Sequence, residues 1–409
     1  ISLMASHTTT FNSLVDSVKA SALGKSGAHA DNRVASVVET VVRDNARLSA
    51  KAIDARAYNE SAKMLDSGFN ADAGSGGVAD DSAVSSETAI DHQTRVAVGS
   101  GAAIAVTGAD RTANTADFSA MNKITALDRT RLDAGGAVEI AKAESIIDVT
   151  RSLAEVNVAS NAALDASGNL RIAAGGDILV STSANAKTYG LASSAAGASR
   201  SSINAANTVR IGGGARLTAG GDIHVYAAQD VDGNDSDVQA VARTDLYNKT
   251  AIPIKTDPQA DATVNYSYGI EIAPGAAVKA VGDVSLLAKN GAIVADGKGE
   301  GKDLYRELAE EVADAFAKLI GAGDISLSIH GGRSVKTGAS SVTVDGTVRA
   351  GSNNQQKLVF RADGSLEAKT DGIDYVIRRE NLVTGMKERL QELYNLRMAY
   401  HDDTTARLA

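Results

Sequence analysis

The chain has 409 residues and contains no cysteine, no tryptophan, three prolines and only 4% aromatics. Without cysteine there is no disulfide framework, no zinc–thiolate cluster and no thiol nucleophile. Large aromatic side chains dominate the burial in thick globular cores. Here the hydrophobic content is 44%, much of it alanine, which suits thin layers stacked one on the next. Scarce proline agrees, because each proline in a central strand deletes a ladder donor. Long basic runs are also missing and the formal net charge is −9, so neither nucleic acid nor an anionic membrane is expected as the main partner. No apolar run is long enough to span a bilayer, so no membrane insertion is expected. The chain opens at Ile1 with neither an initiator Met nor a charged-then-apolar leader, and is read as an internal piece of a longer one.

What the chain does have is a recurring phrase: an aliphatic residue, any residue, a small one, Gly-Gly-Asp or a variant, then another aliphatic. It stands at Leu217–Ile223 and Ile172–Ile178, and more loosely at Val278–Val284, Leu132–Val138 and Leu164–Leu170. A half-copy runs Gly323–Ile329. Recurrence of one strand–turn–strand phrase marks a stacked repeat. A longer unit surrounds the best copy, from Val209 to Ala227, and Ile270–Val278, Val156–Leu164, Val96–Ile104 and Ala46–Leu48 echo it. Alternation in Val209/Ile211, Ile223/Val225 and Val284/Leu286 has period two, hence half-buried strands. Gly-Gly accepts backbone angles that other residues resist, and Asp can close the turn by bonding its own backbone two residues on. The expected architecture is all-β, a parallel β-helix built from rungs of about twenty residues. With half or nearly all residues in rungs, the rod would be about 50 to 100 Å long.

Ala/Ser/Gly-rich excursions such as 59–94 and 181–207 lie between the phrases. They are either interior corners or looped-out ribbons. Lys302–Ile320 breaks the pattern, with Leu304, Leu308, Val312, Phe316 and Leu319 on one helical stripe and Gly321 as its stop. A second helix is expected from Arg379 to Tyr400, with Leu382, Met386, Leu390, Leu393 and Leu396 as its apolar face. The expected organisation is a shaft over 1–350 with the helix at 302–320 inserted. Final rungs or a small β module plus the second helix, a cap or junction, then fill 351–409.

Motifs that could carry chemistry are weak. Gly24-Lys25-Ser26 lacks the upstream glycine of a phosphate loop, since Lys19 stands there. Gly74–Ala79 fits a loose dinucleotide fingerprint without a βαβ context and reads as a flexible loop. Asp230, Asp232, Asp235 and Asp237 alternate like hard-cation ligands, but Asp235 replaces the turn glycine and Val241 the final glutamate. Asp177, Asp222, Asp283 and Asp324 each follow glycine, and turn capping accounts for them. His7, His29, His92, His224, His330 and His401 include no pair at metal spacing. No catalytic residue, cofactor site or metal site is therefore assigned.

The phrase at 209–227 resembles the shaft repeats of large Gram-negative filamentous adhesins, the filamentous haemagglutinin-like and leukotoxin-type groups. The likeness covers roughly residues 40–350, at four or five phrases. It implies a right-handed parallel β-helix, an extracellular or cell-surface location, and attachment to a host cell, neighbouring cell or matrix, with self-association as a further option. A non-enzymatic stalk is the leading expectation. A carbohydrate-active β-helix enzyme of the lyase or hydrolase kind is the alternative, and a self-assembling filament subunit a third.

Overall fold

A computed structural model describes residues 1–20, 23–65, 68–110, 113–303, 307–308, 310–311, 329–351, 356–362, 366–370 and 375–382. Nearly all of them lie in strands joined into one large, mainly parallel sheet system. Register shows the stacking. Ile104, Leu164, Leu217, Val278 and Val348 lie one above the next, at steps of 60, 53, 61 and 70 residues. A coil therefore consumes about three times the expected twenty residues.

The excursions are the reason, for they are ordered rungs. Ala116–Val158 and Leu170–Ile211 are continuous strands of 43 and 42 residues, paired with each other along nearly their whole length. Each leaves the shaft, turns and comes back. Within the second, Thr182 faces Ser201 across 3.0 Å and Thr188 faces Ser193 across 2.9 Å. Stacked over successive coils, the outgoing and returning runs make two parallel sheets packed face to face, a thin blade. Alternate burial along these runs matches the period-two pleat. Gly190, at φ +138°, makes the turn at the blade tip, where a Cβ would lie 1.7 Å from the Gly136 carbonyl oxygen.

The shaft has three faces per coil. The first carries Ile53, Ala116, Leu170, Ile223 and Val284 in one column. The blade departs from it and returns to a second face, where Val98, Val158, Ile211 and Ile272 align. A tight corner leads to the third face. Its column Asn45, Gly101, Asn161, Gly214, Gly275 holds positive φ in five successive coils, between 57° and 79°, a region that favours Gly and Asn. This accounts for the Gly-Ala or Asn-Ala step before the first five third-face strands.

Three of the five full phrases stack as equivalents: Leu164–Leu170, Leu217–Ile223 and Val278–Val284, at the corner from the third face to the first. The other two belong elsewhere. Ile172–Ile178 joins the first face to the blade, and Leu132–Val138 lies at the blade tip beside Ala186–Ala192. The longer echoes do hold register, from Val96–Ile104 through Val156–Leu164 and Val209–Leu217 to Ile270–Val278.

Among the described residues six strands stack on the third face, from Arg47–Ala50 to Thr347–Ala350. At the spacing of paired strands, ~4.8 Å, that is about 24 Å of height. The expected rod of about 50 to 100 Å is corrected accordingly. These residues build a low stack of broad coils.

At the C-terminal side Gln356–Ala362 adds in parallel to Val284–Ala288, while Leu366–Thr370 and Tyr375–Leu382 pair antiparallel. Arg379–Leu382 is thus strand where a helix was expected, its backbone captured by the free edge of Arg333–Ala350. Residues 383–400 lie outside the described set. Of the expected helix at 302–320, Lys302 and Asp303 end a strand, Glu307, Leu308, Glu310 and Glu311 are helical, and the rest lies outside.

Candidate functional site

The predicted aspartates hold coils together. Asp222 Oδ1 accepts the N–H of Asp283 at 2.7 Å, and the Asp222 N–H donates to Asn169 Oδ1 at 2.9 Å. In a separate column Asp177 Oδ1 accepts the Asp237 N–H at 3.1 Å, and Asp237 Oδ1 accepts the Ala292 N–H at 2.6 Å. The carboxylates of Asp222, Asp177 and Asp237 therefore cap the turn one coil onward. The expectation of bonding within its own turn is corrected, because parallel stacking presents the next coil's donor at strand spacing. Asp324 lies outside the described residues.

The acidic stretch 230–237 is an extra loop in one coil, standing where the preceding coil has only Gly175–Asp177. Asp230 Oδ1 accepts the N–H groups of Asp232 and Asn234, both at 2.9 Å, and its Oδ2 accepts Asn234 Nδ2 at 2.8 Å. Asp232 pairs with Arg171 at 2.9 Å, and Asp235 with Lys289 at 2.7 Å and with Gln229. Among the described residues no three His, Asp or Glu side chains converge as a metal site.

Both nucleotide-like motifs lie in blade strands. Lys25 pairs with Asp81 at 3.2 Å, and the Ser26 hydroxyl donates to Ser82 at 3.3 Å. Gly74–Ala79, expected as a flexible loop, is strand, paired with Val18–Ala20 and Leu23 on one side and with 133–138 on the other. The histidines are dispersed. His29 is exposed beside Ser85, His330 is on an antiparallel edge strand, and His224 lies against Tyr226 with ring centroids 5.6 Å apart. Burial lowers the His224 pKa. His7 Nδ1 is 3.3 Å from Asn59 Oδ1, and His92 is fully buried. His401 lies outside the described residues.

Sequence reading missed two arrangements. One is a set of polar layers inside the blade. The shaft core of Val, Ile, Leu and Ala is followed outward by a second aliphatic cluster around Ile90, Ile124, Ile178 and Ile203. A third, mostly alanine cluster comes next, with Ala73, Ala134, Ala143 and Ala186. Asn59, His92, Asn122 and Ser152 are buried on rungs between the first two clusters; Asn122 donates to Ser152 at 3.1 Å. Between the second and third, Lys63 is wholly buried and pairs with the equally buried Asp128. Lys63 Nζ also donates to Thr88 Oγ1 at 2.8 Å, while Asp128 accepts the hydroxyls of Ser86 and Ser145, both at 2.6 Å. Desolvation lowers the Lys63 pKa and the Asp128 carboxylate opposes that shift. The signal was available in parity: Ile53, Ala55 and Ala57 point inward, so Asn59, Ser61 and Lys63 continue inward.

The other is a ladder of alternating charge on the second face. Glu39, Arg95 and Glu155 align over three coils, and Arg210 and Glu271 align two positions further along the next two, with Arg210 reaching back diagonally to Glu155. The N–O distances along it are 3.5, 2.9, 2.8 and 3.6 Å. Glu155 is buried and the other four side chains are about half exposed, so the outer pairs are worth little alone, but a slip by one coil would set Glu39 beside Glu155. The chemistry on view is registration of coils. No protein-family model, curated protein or solved structure matches the chain.

Proposed function

We propose that the chain is a structural and binding segment of a secreted or surface-attached filamentous adhesin, a right-handed parallel β-helix serving attachment or matrix formation. The observation that carries this reading is the chain of ion pairs Glu39–Arg95–Glu155–Arg210–Glu271, which crosses five coils with one diagonal step and commits sequence to coil-to-coil register along an axis. Right-handedness follows from the strong preference of parallel strand crossovers for that hand. The helical residues Glu307, Leu308, Glu310 and Glu311 would lie on the flank of the blade, supported by the bonds Tyr247–Glu307 and Lys302–Glu310.

Reach is the weaker half of the stalk idea. About sixty residues raise the stack by one strand spacing, ~4.8 Å, so these coils spend chain on lateral surface. The targets proposed are a host-cell, neighbouring-cell or matrix surface, with no nucleic-acid partner. The lyase or hydrolase alternative draws no support from the aligned aspartates, whose carboxylates cap backbone N–H groups of the next coil. The test is saturable binding of labelled protein to epithelial cells and to matrix-coated surfaces, assayed beside turnover of acidic and neutral polysaccharides. Saturable binding without turnover supports the reading; turnover, or no binding to any surface, overturns it.

A further inference from the structure

Exposed large hydrophobic side chains gather at two places, the first coil and the blade tip. At the tip they recur in successive coils. Val138 and Ile140, then Tyr189 and Leu191, then Ile252 and Ile254 are each 43–65% exposed. Register places Val138 beside Ala192 and Ala192 beside Ile252, so the tips form one ridge. The fold does not require apolar groups there, because inward positions at the same level are Thr188, Ser193, Asn248 and Thr250, bonded to one another.

We propose that this ridge docks on an anionic lipid surface, its aliphatic tips entering the headgroup–acyl boundary. Shape argues first. Three coil tips at strand spacing give a convex edge about 10 Å long. Edge-to-edge contact with a rigid second copy would fall far short of the roughly 600 Å² per partner that a stable interface needs. A lipid interface is fluid and closes around a convex edge. Charge argues second. Lys187 and Lys249 are exposed beside the ridge, while Asp133, beside Lys187 in register, lies 3.9 Å from Arg131, Asp257 is paired with Lys255 at 2.7 Å and Glu307 accepts from Tyr247. Lys249 lies 5.8 Å from the Tyr247 ring centroid, and Tyr189 with Tyr247 supplies the amphipathic rings that favour a headgroup level. The net charge of −9 is a property of the whole chain and does not set the local sign at the tip. This inference stands independently of the adhesin reading.

The experiment is co-sedimentation of the full chain with phosphatidylcholine vesicles, with and without about a third phosphatidylglycerol. Binding is expected to the anionic vesicles and to fall with salt. Leu191→Asp with Ile252→Asp should weaken it at least ~10-fold. Lys187→Ala with Lys249→Ala should weaken it about fivefold per lysine on anionic vesicles only. All four positions are exposed, so circular dichroism and melting should match the parent; Leu191→Ser with Ile252→Ser provides a milder pair. Three results would overturn the proposal: no sedimentation with either vesicle, undiminished binding of both ridge pairs, or light scattering that shows a two-copy particle split by the aspartate pair. The last would assign the ridge to a second copy.

Discussion

Replacing Asp128 by asparagine should be among the most damaging conservative changes available to this chain. The carboxylate sits in the blade interior with 0% side-chain exposure, as does Lys63. It holds three donors: Lys63 Nζ, Ser86 Oγ at 2.6 Å and Ser145 Oγ at 2.6 Å. Asparagine preserves the shape but leaves the ammonium without a counter-charge and turns one oxygen into a donor facing a hydroxyl. Breaking a buried pair from one side costs about 3–5 kcal/mol, a large fraction of a typical domain stability of roughly 5–15 kcal/mol. Lys63→Met should cost a similar amount, because Asp128 then stays charged with only hydroxyl partners. The double variant Lys63→Met/Asp128→Leu removes both charges and should recover most of the loss, since apolar replacement of a buried pair is often neutral or better. Urea melts of the four proteins at one pH measure the coupling as a double-mutant cycle. Single losses below ~1 kcal/mol, or a double loss equal to the sum of the singles, would refute a dry, closed pair.

Two further outcomes follow from the same interior. His92 is fully buried, and its pKa is lowered to about 4 by desolvation first and by His7 second, with Asp91 opposing. Its folded-state pKa lies below the unfolded value, so stability is full above the unfolded pKa of 6.5 and drains as pH falls through about 4. The loss should reach about 3 kcal/mol. His92→Leu should flatten that part of a stability–pH curve, and an unchanged slope would place the imidazole in water. Ile223→Lys puts an ammonium into the shaft between Leu170 and Val284, where the neighbours are aliphatic. It should cost more than ~4 kcal/mol, seen as loss of the cooperative melt; a parent-like melting temperature would contradict the first-face register.

The three-faced shaft was legible because its rule is local. Alternating aliphatics mark a face, and Gly or Asn at the corner marks the turn, so the run from Val96–Ile104 to Ile270–Val278 could be aligned by eye. The Gly-Gly-Asp phrase misled in two of its five full copies, because a turn followed by a strand looks alike at a shaft corner, at the blade root and at the tip. Ile172–Ile178 and Leu132–Val138 could be told apart only by their partners, which lie about sixty residues away in the chain. The same distance hid the charge ladder: Glu39, Arg95, Glu155, Arg210 and Glu271 look like scattered surface charge until the coil length is known. Once rungs are taken as about twenty residues, the excursions must be loops, and every residue in them loses its partner.

The coil length in turn explains the missing aromatics. Two sheets that face each other across a blade must approach closely, and Ala, Ser, Thr and Gly allow it where Phe or Trp would wedge them apart. Small side chains define register poorly, however, because one alanine rung fits another at many offsets. The polar layers remedy this. Asn122 finds Ser152 only at one offset between the outgoing and returning runs, and Lys63 finds Asp128 only at one offset between coils. Each layer is placed between apolar clusters, so a slip by two residues, which keeps side chains on their face, would set a charge against an apolar layer and an apolar side chain against a hydroxyl, and a slip by one would turn the charge outward. Buried ion pairs are weak evidence for stability but well attested as devices that select one register. In a blade made of the least distinctive residues in the chain, that selection is what turns a run of small side chains into a single structure.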